Sequence, residues 1–207
     1  ADGMSTNADY RQKVLQVYNP NSVARPAKKL LEEKREQRKA RVKGMDVVYI
    51  YHDVIDSNSH NDNPDTCAAC RTTINEIKNI MRIIVNDFGG SHIIVTADHG
   101  FLYTHRELTE SNKTDVKDFR EQAVEMGRRH VILASGVTPE YLLPVKLVAG
   151  DGKLRGFAAR ESIRLKSSGK STKFVHGGVS LQEMAVPIID FAYYRNSSVG
   201  YKQNKDK

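Results

Sequence analysis

The stretch Ile93-Ile94-Val95-Thr96-Ala97-Asp98-His99-Gly100 decides how the rest of the chain is read. An apolar and β-branched run leads straight into an acid, an imidazole and a glycine. That pattern predicts a strand buried on both faces, as in a parallel sheet covered by helices. Asp98 and His99 then emerge at the strand's carboxyl end, where open α/β sheets place their ligands. A neighbouring carboxylate and imidazole there can both reach one divalent cation. Gly100 lets the backbone turn sharply beside them. On these eight residues alone, a strand ending in a polar turn is the plainer reading; the flanking sequence changes that.

Upstream, Asp46-Val47-Val48-Tyr49-Ile50-Tyr51-His52 reads as a second strand, with Asp53 to His60 a polar loop that continues to Asp65. From Thr66 to about Asp87 the residues Ile74, Ile77, Met81, Ile84, Val85 and Phe88 recur at helical spacing. Gly89-Gly90 ends that helix. Strand, loop, helix and strand make one right-handed βαβ unit, which sets strands 46–52 and 93–97 parallel. Both polar loops then leave the sheet at the same edge, so Asp53–His60 and Asp98–His99 become one candidate site. Cys67 and Cys70 fall on the helix's first turn; with no second pair, they read as small buried helix residues rather than half a zinc site.

Further out, a helix is expected over Tyr10 to Val17, ended by Asn19-Pro20. A second helix opens at Pro26 and runs to about Val42, with Gly44 ending it. Its interleaved acids and bases favour a solvated helix with intrahelical salt bridges over a nucleic-acid patch. Past Gly100, Phe101 to Asp118 is a long polar connection and Phe119 to Gly127 a short helix. His130 to Ala134 is a third strand. Leu147-Val148 and Lys153 to Lys166 form short strands of a meander, with Gly150-Asp151-Gly152 as a turn. Ser167 to Lys173 is a polar loop. Phe174 to Ser180, a short helix at Leu181 to Met184 and an apolar strand Val186 to Ala192 follow, before a polar tail, Asn196 to Lys207.

The chain has 207 residues, 39% hydrophobic and 28% charged, which suits a globular α/β domain with appendages. No run has the length of a transmembrane helix and no signal-peptide core opens the chain, so no membrane role is expected. The net charge of +7 suits phosphate-bearing partners, although much of it sits in one segment. Two cysteines exclude a disulfide framework and favour a reducing, cytoplasmic setting. Ala1-Asp2-Gly3 is no natural start, which points to a tag remnant or a cut through a longer protein.

Asp56, His60, Asp98, His99 and His176 are imidazoles and carboxylates at strand ends, drawn from three separated segments. Nitrogen and oxygen ligands in that mixture suit zinc or manganese. Three histidines and two carboxylates exceed the needs of one tetrahedral ion, so two metals are expected. Two ions about 3.5–4 Å apart clamp the attacking and leaving oxygens of a phosphoryl transfer.

The same residues resemble a known pattern: strand-Asp-x-x-x-His, then Ala-Asp-His-Gly, then a His shortly before a Val-Pro strand, as in the alkaline phosphatase superfamily. The chain is most similar to the PglZ family of that superfamily, from the BREX phage-defence systems of bacteria and archaea. The marks are Val48-Tyr49-Ile50-Tyr51-His52 with Ile55-Asp56, Thr96-Ala97-Asp98-His99-Gly100-Phe101-Leu102-Tyr103, and His176-Gly177-Gly178-Val179-Ser180-Leu181-Gln182-Glu183 with Val186-Pro187. The resemblance spans roughly residues 45 to 192. It implies an α/β fold with a mainly parallel sheet flanked by helices, alkaline-phosphatase-like but partial, with a small β-meander insertion. Residues 1–45 would be a helical segment of a larger protein, 46–195 the carboxyl-terminal part of the PglZ domain, and 196–207 a polar tail.

The resemblance also implies ligands: Asp56, His60 and His176 for one metal, Asp98 and His99 for the second. His52 and Asp53 compete with His60, and Glu183 orients the His176 turn or caps the short helix. The superfamily's early aspartate ligand and Thr or Ser nucleophile have no counterpart in residues 1 to 45, where no buried strand leads into such a hydroxyl. The implied function is a metal-dependent phosphohydrolase or phosphodiesterase within a BREX system, inactive in this stretch alone because the nucleophile lies upstream. The implied partners are other BREX proteins and DNA or another phosphate-bearing substrate. The alternative is a non-catalytic assembly or nucleic-acid-binding module of the defence complex.

Overall fold

Helix α1, Ala8–Tyr18, leads into strand β1, Ser22–Pro26, across a turn in which the Ser22 hydroxyl donates to the Asn19 carbonyl at 2.5 Å. These are the opening elements of a computed structural model that describes residues 8–59, 65–106, 108–134, 136–147, 152–166 and 173–194. β1 was not expected: a five-residue segment with arginine and proline carries little strand signal. It pairs in parallel with β2, Val47–Tyr51, in the register Val23 to Val48 and Arg25 to Ile50.

The single helix expected from Pro26 to Val42 is two, α2 Ala27–Glu32 and α3 Arg35–Val42. The break falls at Glu33 and Lys34, both extended. Glu33 is the cause, because its carboxylate holds Arg25 of β1 and Arg41 of α3, the latter at 2.8 Å. In α3 an intrahelical pair joins Lys39 and Glu36 at 4.0 Å, while Arg35 and Arg38 reach outward and both grip Asp87 at 3.1 Å.

Val54–Ser59, read as loop, is a short helix, α4. Helix α5, Thr66–Ile83, runs on into a π-helical turn, Ile84–Phe88, that stops at Gly89 with φ +72°. Strand β3 is His92–Thr96. Past it come β4 Leu102–Tyr103, β5 Lys113–Thr114, β6 Ala123–Met126, β7 His130–Ala134, β8 Leu143–Val145, β9 Leu154–Ala158, β10 Arg164–Leu165 and β11 Phe174–Val175. Helix α6, Leu181–Met184, and strand β12, Ile188–Ala192, complete the described chain. Where Phe119 to Gly127 was read as a helix, a 3-10 turn at Arg120–Gln122 gives way to β6. No helix among the described residues is long and apolar enough to cross a membrane.

The architecture is mixed α/β, but the described sheets are mostly antiparallel rather than one mainly parallel sheet. The largest has the order β6-β7-β9-β8 and is antiparallel throughout, but it is not the expected meander: its strands are not in chain order, and of the stretches expected there only Lys153 to Lys166 contributes, as β9. β11 pairs antiparallel with β4; parallel pairing is found for β1 with β2 and for β5 with β10. β3 pairs with β12, so among the described residues β2 and β3 do not pair with each other. Nor is β3 buried on both faces. Ile93 is buried and Ile94 is 61% exposed, so among the described residues only one face of β3 is covered.

By contacts the chain divides into two units, one of residues 1–54, 70–94 and 190–207, the other of residues 55–69 and 95–189. The first packs Ala27 and Leu30 of α2 against Ile80 of α5, with Ile50, Ile84 and Phe88 beside them. The second is centred on Val131, Leu133 and Phe157 of the four-stranded sheet, joined by Val116, Phe119, Leu142 and Leu165. Asp56, Asp98, His99 and His176 belong to the second unit, His52 and Asp53 to the first.

Candidate metal centre

Asp56 sits in the first turn of α4, a helix too short to be stable except by packing. His176 follows β11 directly, where Phe174 and Val175 are buried and turn the next side chain outward. His99 stands three residues past the end of β3, in the turn that opens the Gly100 connection. These three segments, far apart in sequence, bring one ligand atom each from Asp56, His99 and His176 within 4.8 Å of one another. Asp56 Oδ1 and His176 Nε2 are 3.5 Å apart. Two ligands of a tetrahedral ion with bonds of about 2.0–2.1 Å are separated by about 3.3 Å. The rings of His99 and His176 stack, with centroids 4.3 Å apart and planes at 13°. All three side chains are half-buried.

The tautomer of His99 follows from its neighbours. Its Nδ1 lies 2.9 Å from the Gly100 carbonyl oxygen, which only accepts, so Nδ1 carries the proton and Nε2 keeps its lone pair. Such an imidazole is ready to bind a cation. The donor chemistry, the 3.5 Å spacing and this backbone-fixed tautomer together fit a divalent ion held by Asp56, His99 and His176.

Other predicted positions stand apart from that cluster. Asp98 points largely into solvent, with its side chain 88% exposed. Its Oδ1 accepts the His99 backbone N–H at 3.0 Å and lies 3.8 Å from His99 Nε2, so it braces the turn. His99, expected with Asp98 at a second ion, keeps company with Asp56 and His176 instead. His60 lies outside the described residues. His52 is taken by Glu76, at 2.5 Å, on α5.

Behind the ligands lies a hub that sequence reasoning reached only in half. Glu183, on α6, is buried, and its Oε1 accepts from Arg129 Nε at 2.9 Å and the Gly178 N–H at 3.0 Å. Its Oε2 accepts from Arg129 Nη2 at 3.0 Å, the Ser180 N–H at 3.2 Å and the Ser180 hydroxyl at 2.6 Å. The Glu183 main-chain carbonyl accepts the Gly100 N–H at 2.8 Å. Burial alone would push this carboxyl up; the bonds from Arg129 and Ser180 overcome that and hold it below the ordinary carboxylate value. Arg129 itself is fully buried and donates in addition to the carbonyls of Glu161, at 2.7 Å, and Ile163.

Arg129 was missed. It stands in Arg128-Arg129-His130 before β7, where a surface position is the default for arginine, and nothing local marks it as buried. A second buried guanidinium, Arg164, donates to the Thr104 hydroxyl at 2.8 Å, and burial together with the nearby Arg129 charge pushes it down to about 10. Space behind the ligand turns is tight. A Cβ on Gly100 would run into the Gln182 carbonyl, and one on Gly178 would lie 2.5 Å from Glu183 Oε2 and 2.9 Å from Arg129 Nε.

A profile described as the BREX system PglZ alkaline phosphatase-like domain matches residues 1–191. The match takes in α1 to α3 as well as the motifs. Over 194 residues the chain is 31% identical to the alkaline phosphatase-like protein BrxZ of Escherichia coli O9:H4 (strain HS), covering 91% of this chain and 22% of that protein. Over 202 residues it is 30% identical to the alkaline phosphatase-like protein PglZ of Bacillus cereus (strain H3081.97), covering 95% and 23% respectively. The chain thus spans under a quarter of the length of these relatives. With a profile match running through both units and all three ligand segments, the chain belongs to the PglZ family of BREX-system alkaline phosphatase-like domains.

Proposed function

We propose that this chain supplies part of the metal centre of a phosphohydrolase or phosphodiesterase that works with other components of a BREX defence system in the cytoplasm. The convergence of Asp56, His99 and His176 carries the reading, since those side chains come from separate segments yet present donors suited to one zinc or manganese ion. When bound, such an ion supplies Lewis-acid charge for a phosphoryl group. The residues' own parts are distinct. Asp56 supplies anionic charge, the Gly100 carbonyl fixes the His99 tautomer, and the stacked His176 ring limits how far His99 can swing. His60 is read as a further ligand of the ion held by Asp56 and His176, and Asp98 as a ligand of a second ion. The nucleophilic hydroxyl and remaining ligand are read as belonging to the part of a longer protein outside these 207 residues. Residues 1–45 are read as an amino-terminal segment of the larger protein, and a phosphate-bearing substrate such as DNA is the expected target.

The test is hydrolysis of bis(p-nitrophenyl) phosphate by the full-length protein with Zn²⁺ or Mn²⁺. Turnover that disappears with chelator and falls at least about 100-fold in Asp56→Asn and His176→Ala is expected. Turnover indifferent to chelator and to both variants overturns the reading. Metal binding without turnover of any phosphodiester would instead favour an assembly role for the site.

A further inference from the structure

We infer that Arg129 is a positioning residue for the metal ligands, acting through Glu183 on the turns that carry His99 and His176; this rests on the metal-site reading above. The buried pair stands directly behind both turns. One Glu183 oxygen holds the Gly178 N–H, two residues past His176, and the other holds both donors of Ser180. The Glu183 carbonyl holds the Gly100 N–H, one residue past His99, and the Gly100 carbonyl in turn orients the His99 ring. Arg129 is what keeps that carboxylate in one place. Its fork meets both oxygens, and its remaining donors are tied to Glu161 and Ile163, so the guanidinium cannot rotate.

Two further observations argue that the pair exists for geometry rather than stability. A buried ion pair is a weak stabiliser compared with apolar residues of similar volume, so stability alone does not explain one here. And Gly178 lies so close to both Glu183 and Arg129 that any side chain at that position would displace the pair, which means the turn was built against it. Ligands whose supporting groups are fixed bind metal about 10–100-fold more tightly than ligands left loose.

The experiment uses the full-length protein and reads the affinity for Zn²⁺ and Mn²⁺ by calorimetric titration, with circular dichroism to follow folding. Arg129→Lys keeps the charge and loses the fork. The double substitution Arg129→Met with Glu183→Leu removes the pair without leaving a lone buried charge. Both are expected to bind metal about 10–100-fold more weakly while the ion-free proteins keep native spectra. Ser180→Ala, a milder change at the rim of the hub, is expected to weaken binding about 3–10-fold and covers the case in which the buried variants do not fold. Asp56→Asn is the reference. If it leaves affinity unchanged, the metal site itself is misassigned. If it weakens binding while the folded Arg129 variants, or Ser180→Ala, bind as the parent does, the positioning role is overturned.

Discussion

Five hydrogen bonds converge on the Glu183 carboxylate, and they set its protonation. Its folded-state pKa lies below the ordinary value of 4.5, so it binds fewer protons folded than unfolded at acid pH. The stabilisation is therefore complete above about pH 4.5 and is lost as the pH falls through the lower folded value. Urea denaturation between pH 7 and pH 3 should show stability dropping at the acid end, and Glu183→Gln should flatten that slope. Parallel slopes in the two proteins would contradict this. At Gly100 the constraint is steric: Gly100→Ala places a methyl against the Gln182 carbonyl and should cost about 1–3 kcal/mol, read as a lower urea midpoint with unchanged slope. Residue-scale legibility was uneven. His99, Asp56 and His176 were readable because chemistry-bearing residues after strands are conspicuous. Arg129 was not, because burial of an arginine is decided by partners distant in sequence.

At the level of elements, the α2–α3 break and the four-stranded sheet carry the main lessons. Helix propensity predicts continuity from Pro26 to Val42, yet Glu33 leaves the helix to hold two arginines, so a tertiary ion pair overrode a local preference. Glu33→Gln should cost about 1–3 kcal/mol, since its carboxylate and Arg25 are both largely buried, and it should raise amide exchange in both short helices. Exchange unchanged in α2 and α3 would remove Glu33 as the cause. In the four-stranded sheet, Leu133 is fully buried at the centre of its cluster, and Leu133→Ala should cost about 2–5 kcal/mol, measured as loss of exchange protection across β7. Strands such as β3 and β7 were legible from their apolar runs. β1 and β6 were not, because their residues are stabilised as strands by neighbours rather than by their own preference.

For the whole molecule, sequence pattern gave the class of fold but not the pairing. A buried-looking run such as Ile93 to Ala97 fits a parallel sheet covered on both sides, and only the arrangement of partners shows that, among the described residues, β3 pairs with β12. The four-stranded sheet was legible only in part: β7 and β9 fall on expected strands, while β6 was expected as helix and the pairing of β7 with β9 passes over β8. The site lies within the second unit, so its integrity should follow that unit's stability. Leu133→Ala, far from the ligands in sequence, should lower metal occupancy only at temperatures where the four-stranded sheet begins to open.

The Glu183 hub also sets which parts of this chain can change length. Gly178 and Ser180 must both meet the Glu183 carboxylate, and Gly100 must meet the Glu183 carbonyl, so the count of residues from His176 to Glu183 is fixed by geometry. Insertion of one residue between Val179 and Ser180 would throw the helix and the histidine out of step. The long path from Gly100 to Phe174 meets the hub at Arg129, Glu161 and Ile163, so only its stretches between those residues escape the restriction. Lengthening and shortening among relatives should therefore accumulate in those stretches, while the spacing of the His-Gly-Gly-Val-Ser-Leu-Gln-Glu run stays frozen.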